Sequence, residues 1–243
     1  MWPYRGLSFP PDPTTLHAMD KERELARIAE MRRGTRWPGY SGIADYHDGI
    51  YDCAFVSPYT KSAKNVDADV MVLLQDWASE DALAAPVHPQ RVALGHDPER
   101  QTNKRLKAFL KQHLDLDLAD IYATNVFPFV KPRDMGSTLP QRDLDRAARE
   151  FGLPQIEIVR PLIAICLGIA AFNSVAAAAG RRKQHALADA IATPFLHGTT
   201  EVWCQAHTGP RGFNARNKGG IDRASDDWDS MAEALQRRRR ASH

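Results

Sequence analysis

Four apolar, β-favouring runs, each separated from the next by enough chain for a helix, constrain this sequence more than any other feature in it. They are Asp69-Val70-Met71-Val72-Leu73-Leu74-Gln75-Asp76, Ile121-Tyr122-Ala123-Thr124-Asn125-Val126, Leu162-Ile163-Ala164-Ile165-Cys166-Leu167 and Glu201 to Ala206. The first is continuous rather than alternating, as expected of a central strand covered on both faces. The connections carry helical patterns. Leu106, Phe109, Leu110 and Leu114 form one stripe around 99–114, and helices are expected at about 142–151, at 154–160, along the alanine-rich stretch up to Gly180, and near 183–191. The order β-α-β-α-β-α-β predicts a single α/β domain with a four-stranded parallel sheet and helices on both faces.

That domain is read as the whole chain, 1–243, with an extension at 1–68, a core at 69–235 and a basic tail at 236–243. Residues 1–18 are proline-rich and expected to wrap the surface. Leu25, Ile28 and Ala29 lie at helical spacing within 20–33, with Gly34 as the C-terminal cap. Turn formers dominate 34–68, and loops of that length in a compact domain tend to carry function. Ser225 is expected to cap a last helix with Trp228, Met231, Ala232 and Leu235 on its inner side, and Arg237 to Arg240 reads as its solvated basic end.

With 32 Lys and Arg against 30 Asp and Glu, bulk charge does not announce a nucleic-acid partner, so the position of the cations decides. They cluster in 91–111, in 207–223 and at the end of the chain. Cys53, Cys166 and Cys204 show no paired spacing, which argues against structural zinc or an iron–sulfur cluster and for buried free thiols. No apolar run reaches membrane-span length and the first residues lack a signal-peptide profile. A soluble, cytoplasmic monomer without metal or cofactor is expected.

In parallel α/β sheets, ligands bind beyond the carboxyl ends of the strands. That rule selects Gln75 and Asp76, Asn125, Gly168 and His207. His207 also opens a loop, His207-Thr208-Gly209-Pro210-Arg211 continuing to Asn214, Arg216 and Lys218, whose cations suit a polyanion. Each residue has a plainer role available. Asp76 is a type that caps helices, Asn125 one that satisfies backbone in turns, His207 a loop histidine, and Arg211 and Lys218 ordinary solvated cations.

These residues are where the chain resembles the uracil-DNA glycosylase superfamily. Gln75-Asp76 is similar to the Q-D of the G-Q-D-P-Y-H motif, and Thr124-Asn125-Val126 to the T-N-V of the iron–sulfur relatives. Arg160-Pro161 through Leu167-Gly168 resembles a further motif of those relatives. His207-Thr208-Gly209-Pro210-Arg211 resembles the H-P-S-P-R of the single-strand-selective type, and Asn214 to Gly219 echoes its Q-A-N-K-G. The match covers roughly residues 69–235.

The resemblance implies hydrolysis of the N-glycosidic bond of uracil in single- or double-stranded DNA, with free uracil as product and no metal or cofactor. It assigns Asp76 to orient water against C1′ and His207 to hydrogen-bond uracil O2 as charge develops there. Asn125 reads N3–H and O4, and backbone N–H groups near Gln75 add to the pocket. Trp77 and Ala78 stand where the family has proline and a methyl-blocking tyrosine, so thymine exclusion falls to Trp77. The base-stacking phenylalanine falls within Gly95-His96-Asp97-Pro98, which gives stacking to His96. Arg211 takes the place of the duplex wedge, Asn214 and Lys218 those of phosphate contacts, and Thr208 supplies the hydroxyl lost with the family's serine, while Gly209 loosens the loop. No lysine nucleophile for strand cleavage is evident at the rim. Other readings are a glycosylase for hypoxanthine or xanthine, a non-catalytic lesion or abasic-site binder, and a small-molecule hydrolase on a similar sheet.

Overall fold

The computed structural model describes residues 13–241. Residues 1–12, most of the segment expected to wrap the surface, lie outside the described residues, as do residues 242–243. Strands β1 (Val70–Asp76), β2 (Tyr122–Phe127), β3 (Ile163–Leu167), β4 (Phe195–His197) and β5 (Thr200–Gln205) form one sheet, in the order β2-β1-β3-β5-β4. The pairs β1·β2, β1·β3 and β3·β5 are parallel, as expected. The sheet has five strands rather than four: β4 adds an antiparallel edge, joined to β5 through Gly198 at φ +57°. A three-residue strand is too short to show a period, and only the tight turn brings it against β5.

Helices α1 (Pro13–Gly34), α2 (Glu80–Ala84), α3 (Pro89–Leu94), α4 (Gln101–Phe109), α5 (Gln141–Ala147), α6 (Leu153–Val159), α7 (Ile169–Ala178), α8 (Leu187–Ala192), α9 (Pro210–Arg216) and α10 (Arg223–Ala241) surround the sheet. Apolar residues of both parities in β1 explain the three layers. Val70, Val72 and Leu74 pack with α4 and α10 through Leu106, Phe109, Trp228 and Met231. Met71 and Leu73 face the opposite side, with Ile156, Phe172 and Val175 of α6 and α7. Burying a side chain of this size contributes roughly 1.5–3 kcal/mol, so neither layer is dispensable.

Four expected helix ends differ. α1 begins at Pro13, so residues 13–18 are helical rather than wrapping the surface ahead of a helix from Asp20. Gly34 ends α1 without entering the left-handed region, because the Thr35 hydroxyl donates to the Met31 carbonyl at 2.7 Å and satisfies the last turn. Asp222, not Ser225, caps α10: its carboxylate accepts from the Ser225 hydroxyl at 2.8 Å and from the Ser225 N–H at 3.4 Å. The basic end of α10 is partly pinned rather than solvated, since Arg239 donates to Asp69 at 2.8 Å and Arg238 to the Thr199 carbonyl.

The long segment after α1 is ordered by its own polar contacts. Arg32, 2% exposed, pairs with Asp52 at 2.7 Å and donates to the carbonyls of Cys53 and Phe55. Beyond them Thr60 donates to the Ala123 carbonyl at 2.7 Å, while Ala123 N–H donates to Ala63 O at 2.9 Å. The segment thus covers the free edge of β2, which would otherwise expose a row of unpaired backbone groups. It also runs over the carboxyl end of the sheet.

Candidate active site

A cleft of about 910 Å³ opens at the carboxyl ends of β1 and β2 and beside the loop after β5. Gln75, Asp76, Trp77, Asn125, His96, His207 and Arg211 all line it, so residues far apart in sequence meet at one rim.

Asp76 ends β1 and is not a helix cap, for the next helix, α2, begins at Glu80 behind Ser79. Its Oδ1 accepts from Gln75 Nε2 at 2.8 Å and its Oδ2 lies 3.3 Å from Lys131 Nζ. The two charged side chains are only 8% and 4% exposed. A buried carboxylate is stable only when paired. Lys131 gets there because the chain beyond β1 runs alongside the chain beyond β2: Lys131 N–H donates to Ala78 O at 3.1 Å, and Ser79 and Lys131 form a parallel bridge. The ammonium also donates to the Met135 carbonyl at 2.7 Å. Lys131, which the sequence reading had not placed at the rim, therefore lines the cleft as a paired cation.

His207 follows β5, and its Nδ1 accepts the Gly209 N–H at 2.9 Å. That bond needs an unprotonated Nδ1, which puts the proton of the neutral ring on Nε2. Burial pushes the His207 pKa down, reinforced by Lys131 and opposed by Asp76, so the ring is held neutral. Glycine is required around it: a Cβ on Gly209 would lie 2.8 Å from Nδ1, and one on Gly212 2.5 Å from His207 O. Gly209 was expected to loosen this loop. It instead permits a close approach that clamps the imidazole.

Asn125 is fully buried at the carboxyl end of β2. Its Oδ1 accepts from the Ser57 hydroxyl at 2.5 Å, while its Nδ2 has no partner among the described residues. A buried amide nitrogen left without a partner is costly. Asn125 is among the residues that line the cleft, behind a surface that leaves it 0% exposed, and an acceptor that reached the nitrogen from there would satisfy it. Asn125 is thus not spent on closing a turn.

The aromatic side of the cleft combines Trp77, His96 and Tyr59. Trp77 donates from Nε1 to Gly95 O at 2.6 Å and meets Tyr51 edge-on at 5.8 Å, which fixes its indole against the wall. His96, 5% exposed, stacks on Tyr59 at 4.9 Å and 23°. Burial lowers its pKa. Gly95, at φ +73°, brings these rings together: a Cβ there would lie 1.7 Å from Pro58 O. Tyr59, Ser57 and Lys131 were not singled out from sequence, because each belongs to an irregular segment with no periodic signal. For Tyr59 and Ser57 the hint was the length of the loop at 34–68, and Lys131 had none.

The loop after His207 divides sharply. Thr208 is 1% exposed, its hydroxyl donates to Thr102 O at 3.0 Å, and its own carbonyl accepts from Arg105 at 2.6 Å. It anchors the loop and does not offer its hydroxyl to a phosphate. Residues 210–216 form α9 instead of a loop, held by Arg216 on Asp227 at 2.6 and 2.7 Å and by Arg105 stacked 3.9 Å over Phe213. Arg211 is exposed at the cleft edge, whereas Asn214 and Lys218 are exposed on the outside and do not line it.

Among the described residues, no group of three or more His, Cys, Asp or Glu side chains is disposed to hold a metal ion. Cys166 and Cys204 sit side by side on β3 and β5 as buried free thiols, and Cys53 is a half-buried one. No described helix is long and apolar enough to cross a membrane. No protein-family model matches the chain, and a search of curated proteins finds no match.

Proposed function

We propose that this protein is a monofunctional DNA glycosylase that hydrolyses the N-glycosidic bond of uracil, releasing the free base and leaving an abasic site. One observation carries the reading: a buried carboxylate, a neutral imidazole holding its proton on Nε2, and an amide with an unpartnered N–H pair line the same cleft. An extruded nucleotide presents matching needs. Its base offers carbonyl acceptors, and the bond to C1′ breaks with a cationic sugar on one side and an anionic base on the other.

In this reading Asp76, oriented by Gln75 and paired with Lys131, holds a water against C1′ and stabilises the sugar cation. The C1′–N1 electron pair leaves with the base, and charge gathers on O2, where His207 donates from Nε2. Water then adds to C1′ and gives its proton to Asp76. A neutral imidazole suits this task, since burial keeps it from carrying a charge of its own between turnovers. Asn125 donates to O4. Lys131, ion-paired and bonded to a carbonyl, serves as counter-charge rather than nucleophile, which favours base release without strand cleavage. Arg211 at the cleft edge fits a contact with the distorted strand.

Release of uracil from single- and double-stranded oligonucleotides tests the proposal directly. The wild type should release free uracil and leave an alkali-labile site, whereas Asp76→Asn and His207→Ala should be strongly impaired. Absence of release from both substrates, or variants as active as the wild type, would refute it. Because the Asn125 amide suits any base with a carbonyl at the position it reads, hypoxanthine and xanthine substrates belong in the same panel. Faster release of either purine would shift the assignment to that base.

A further inference from the structure

The segment at 34–68 supplies a side chain that no motif pointed to, and it touches the residue assigned to read the base. We infer that Ser57 sets the base specificity of the cleft by locking the Asn125 amide in one orientation, so that the pocket selects a lactam edge, a ring N–H beside a carbonyl, over an amino-bearing edge. The inference rests on the reading that this cleft receives a nucleobase.

Ser57 is 1% exposed and sits at the start of a short 3-10 turn, residues 58–62. Its oxygen accepts the Tyr59 N–H at 3.2 Å, and its proton goes to Asn125 Oδ1 at 2.5 Å. The reversed amide would aim its N–H pair at an oxygen that already receives an N–H. The hydroxyl proton would then lose its acceptor in a buried place. Stranding such a donor costs about 1–3 kcal/mol, equivalent to roughly 5- to 150-fold in population. The orientation is therefore strongly set.

Two consequences follow for a ligand. The free Nδ2 hydrogens require an acceptor, which a carbonyl provides and an exocyclic amine does not. Asn125 Oδ1, with one lone pair used by Ser57, retains a second for the neighbouring ring N–H. Uracil and hypoxanthine satisfy both. Cytosine and adenine fail twice, offering a donor to the N–H pair and a bare ring nitrogen to the oxygen. Swapping the amide ends would reverse this preference, so an unlocked Asn125 accommodates either class. Ser57 is itself held in register by the Arg32 contacts to Asp52, Cys53 and Phe55 upstream and by Thr60 on Ala123 downstream. Its action is thus positioning, exerted through Asn125.

The test is equilibrium binding of free uracil and free cytosine to the full chain, measured for the wild type, Ser57→Ala and Ser57→Cys, beside uracil release from single-stranded DNA. The wild type should prefer uracil, and Ser57→Ala should reduce the uracil-to-cytosine affinity ratio by about tenfold, within the range set by the stranded donor. Ser57→Cys, with a weak S–H donor and similar volume, should fall between them, which keeps the test decisive should the alanine variant fold poorly. A purely structural role would weaken both ligands together and leave the ratio unmoved, and an unchanged ratio, or a wild type that does not discriminate, overturns the inference. Preserved discrimination without uracil release from DNA would instead overturn the glycosylase assignment while leaving Ser57 as the selector.

Discussion

At the β1 end of the cleft a full negative charge, Asp76, is held 3.3 Å from a full positive charge, Lys131, whereas at the β2 and β5 ends Asn125 and His207 meet the same space as neutral groups. The difference follows from what each end must tolerate when the cleft is empty. A buried carboxylate is costly unless a counter-charge lies beside it, and Lys131 is that counter-charge. An amide and a neutral imidazole carry no charge to desolvate; what they need is the right rotamer and tautomer, and for the Asn125 Nδ2 a partner that the described residues do not supply. Ser57 supplies the first and Gly209 N–H the second. Charge is therefore concentrated where a sugar cation would form, and neutral donors where a leaving base would gather negative charge.

The harshest way to break this contrast is to neutralise the charged end. Asp76→Asn should lower single-turnover uracil release by about 10³-fold, the scale of a lost general base, while leaving Lys131 buried without its partner. Its thermal midpoint should fall as well. Removing the neutral donor opposite, His207→Ala, should cost about 10²-fold in release with little change in stability at neutral pH.

The same histidine predicts a pH signature. Its folded-state pKa lies below the ordinary 6.5, so the unfolded chain binds the proton more readily. Its contribution to stability is then fully present above 6.5 and is lost as pH falls through the lowered folded value. The release rate of the wild type should hold below pH 6.5 before declining, since protonated Nδ1 would face the Gly209 N–H. His207→Ala should flatten the acid dependence of the melting temperature, and an acid limb starting at or above the ordinary histidine range would contradict the tautomer argument.

A gentler perturbation is Gly209→Ala, which forces a methyl to within 2.8 Å of Nδ1. The ring must shift, and a drop of about tenfold in release is expected with the fold intact. Circular dichroism and single-turnover kinetics on one preparation separate the two effects. The smallest change belongs to Arg211→Ala, outside both ends. It should weaken DNA binding similarly across sequences and reduce the slope of log affinity against log salt by about one, without altering release at saturating DNA. A larger slope change would mean that Arg211 organises further phosphate contacts.

Much of the fold was legible because burial on two faces leaves a direct mark on sequence. Val70 to Leu74 and Ile163 to Leu167 have no room for a polar face, and helix-length connections between such runs favour parallel pairing. β4 left no such mark in its three residues. The site was legible to the extent that strand ends point at it, which is why Asp76, Asn125 and His207 were identified and do meet. Thr208 misled because a hydroxyl next to the histidine looks available until its burial against Thr102 is seen.

The sequence alone determined the parallel core and the types of group at its carboxyl rim, since continuous apolar runs and the helix-length connections between them are written locally along the chain. Only the tertiary structure decided their states. Lys131 meets Asp76 across two strand extensions, Ser57 meets Asn125 across 68 residues, and the Gly209 backbone selects the His207 tautomer at a distance no larger residue allows. Whether a polar group is charged, locked or left wanting a partner depends on what lies within about 3 Å of it. That neighbourhood is set by packing, which no sequence spacing between irregular segments encodes.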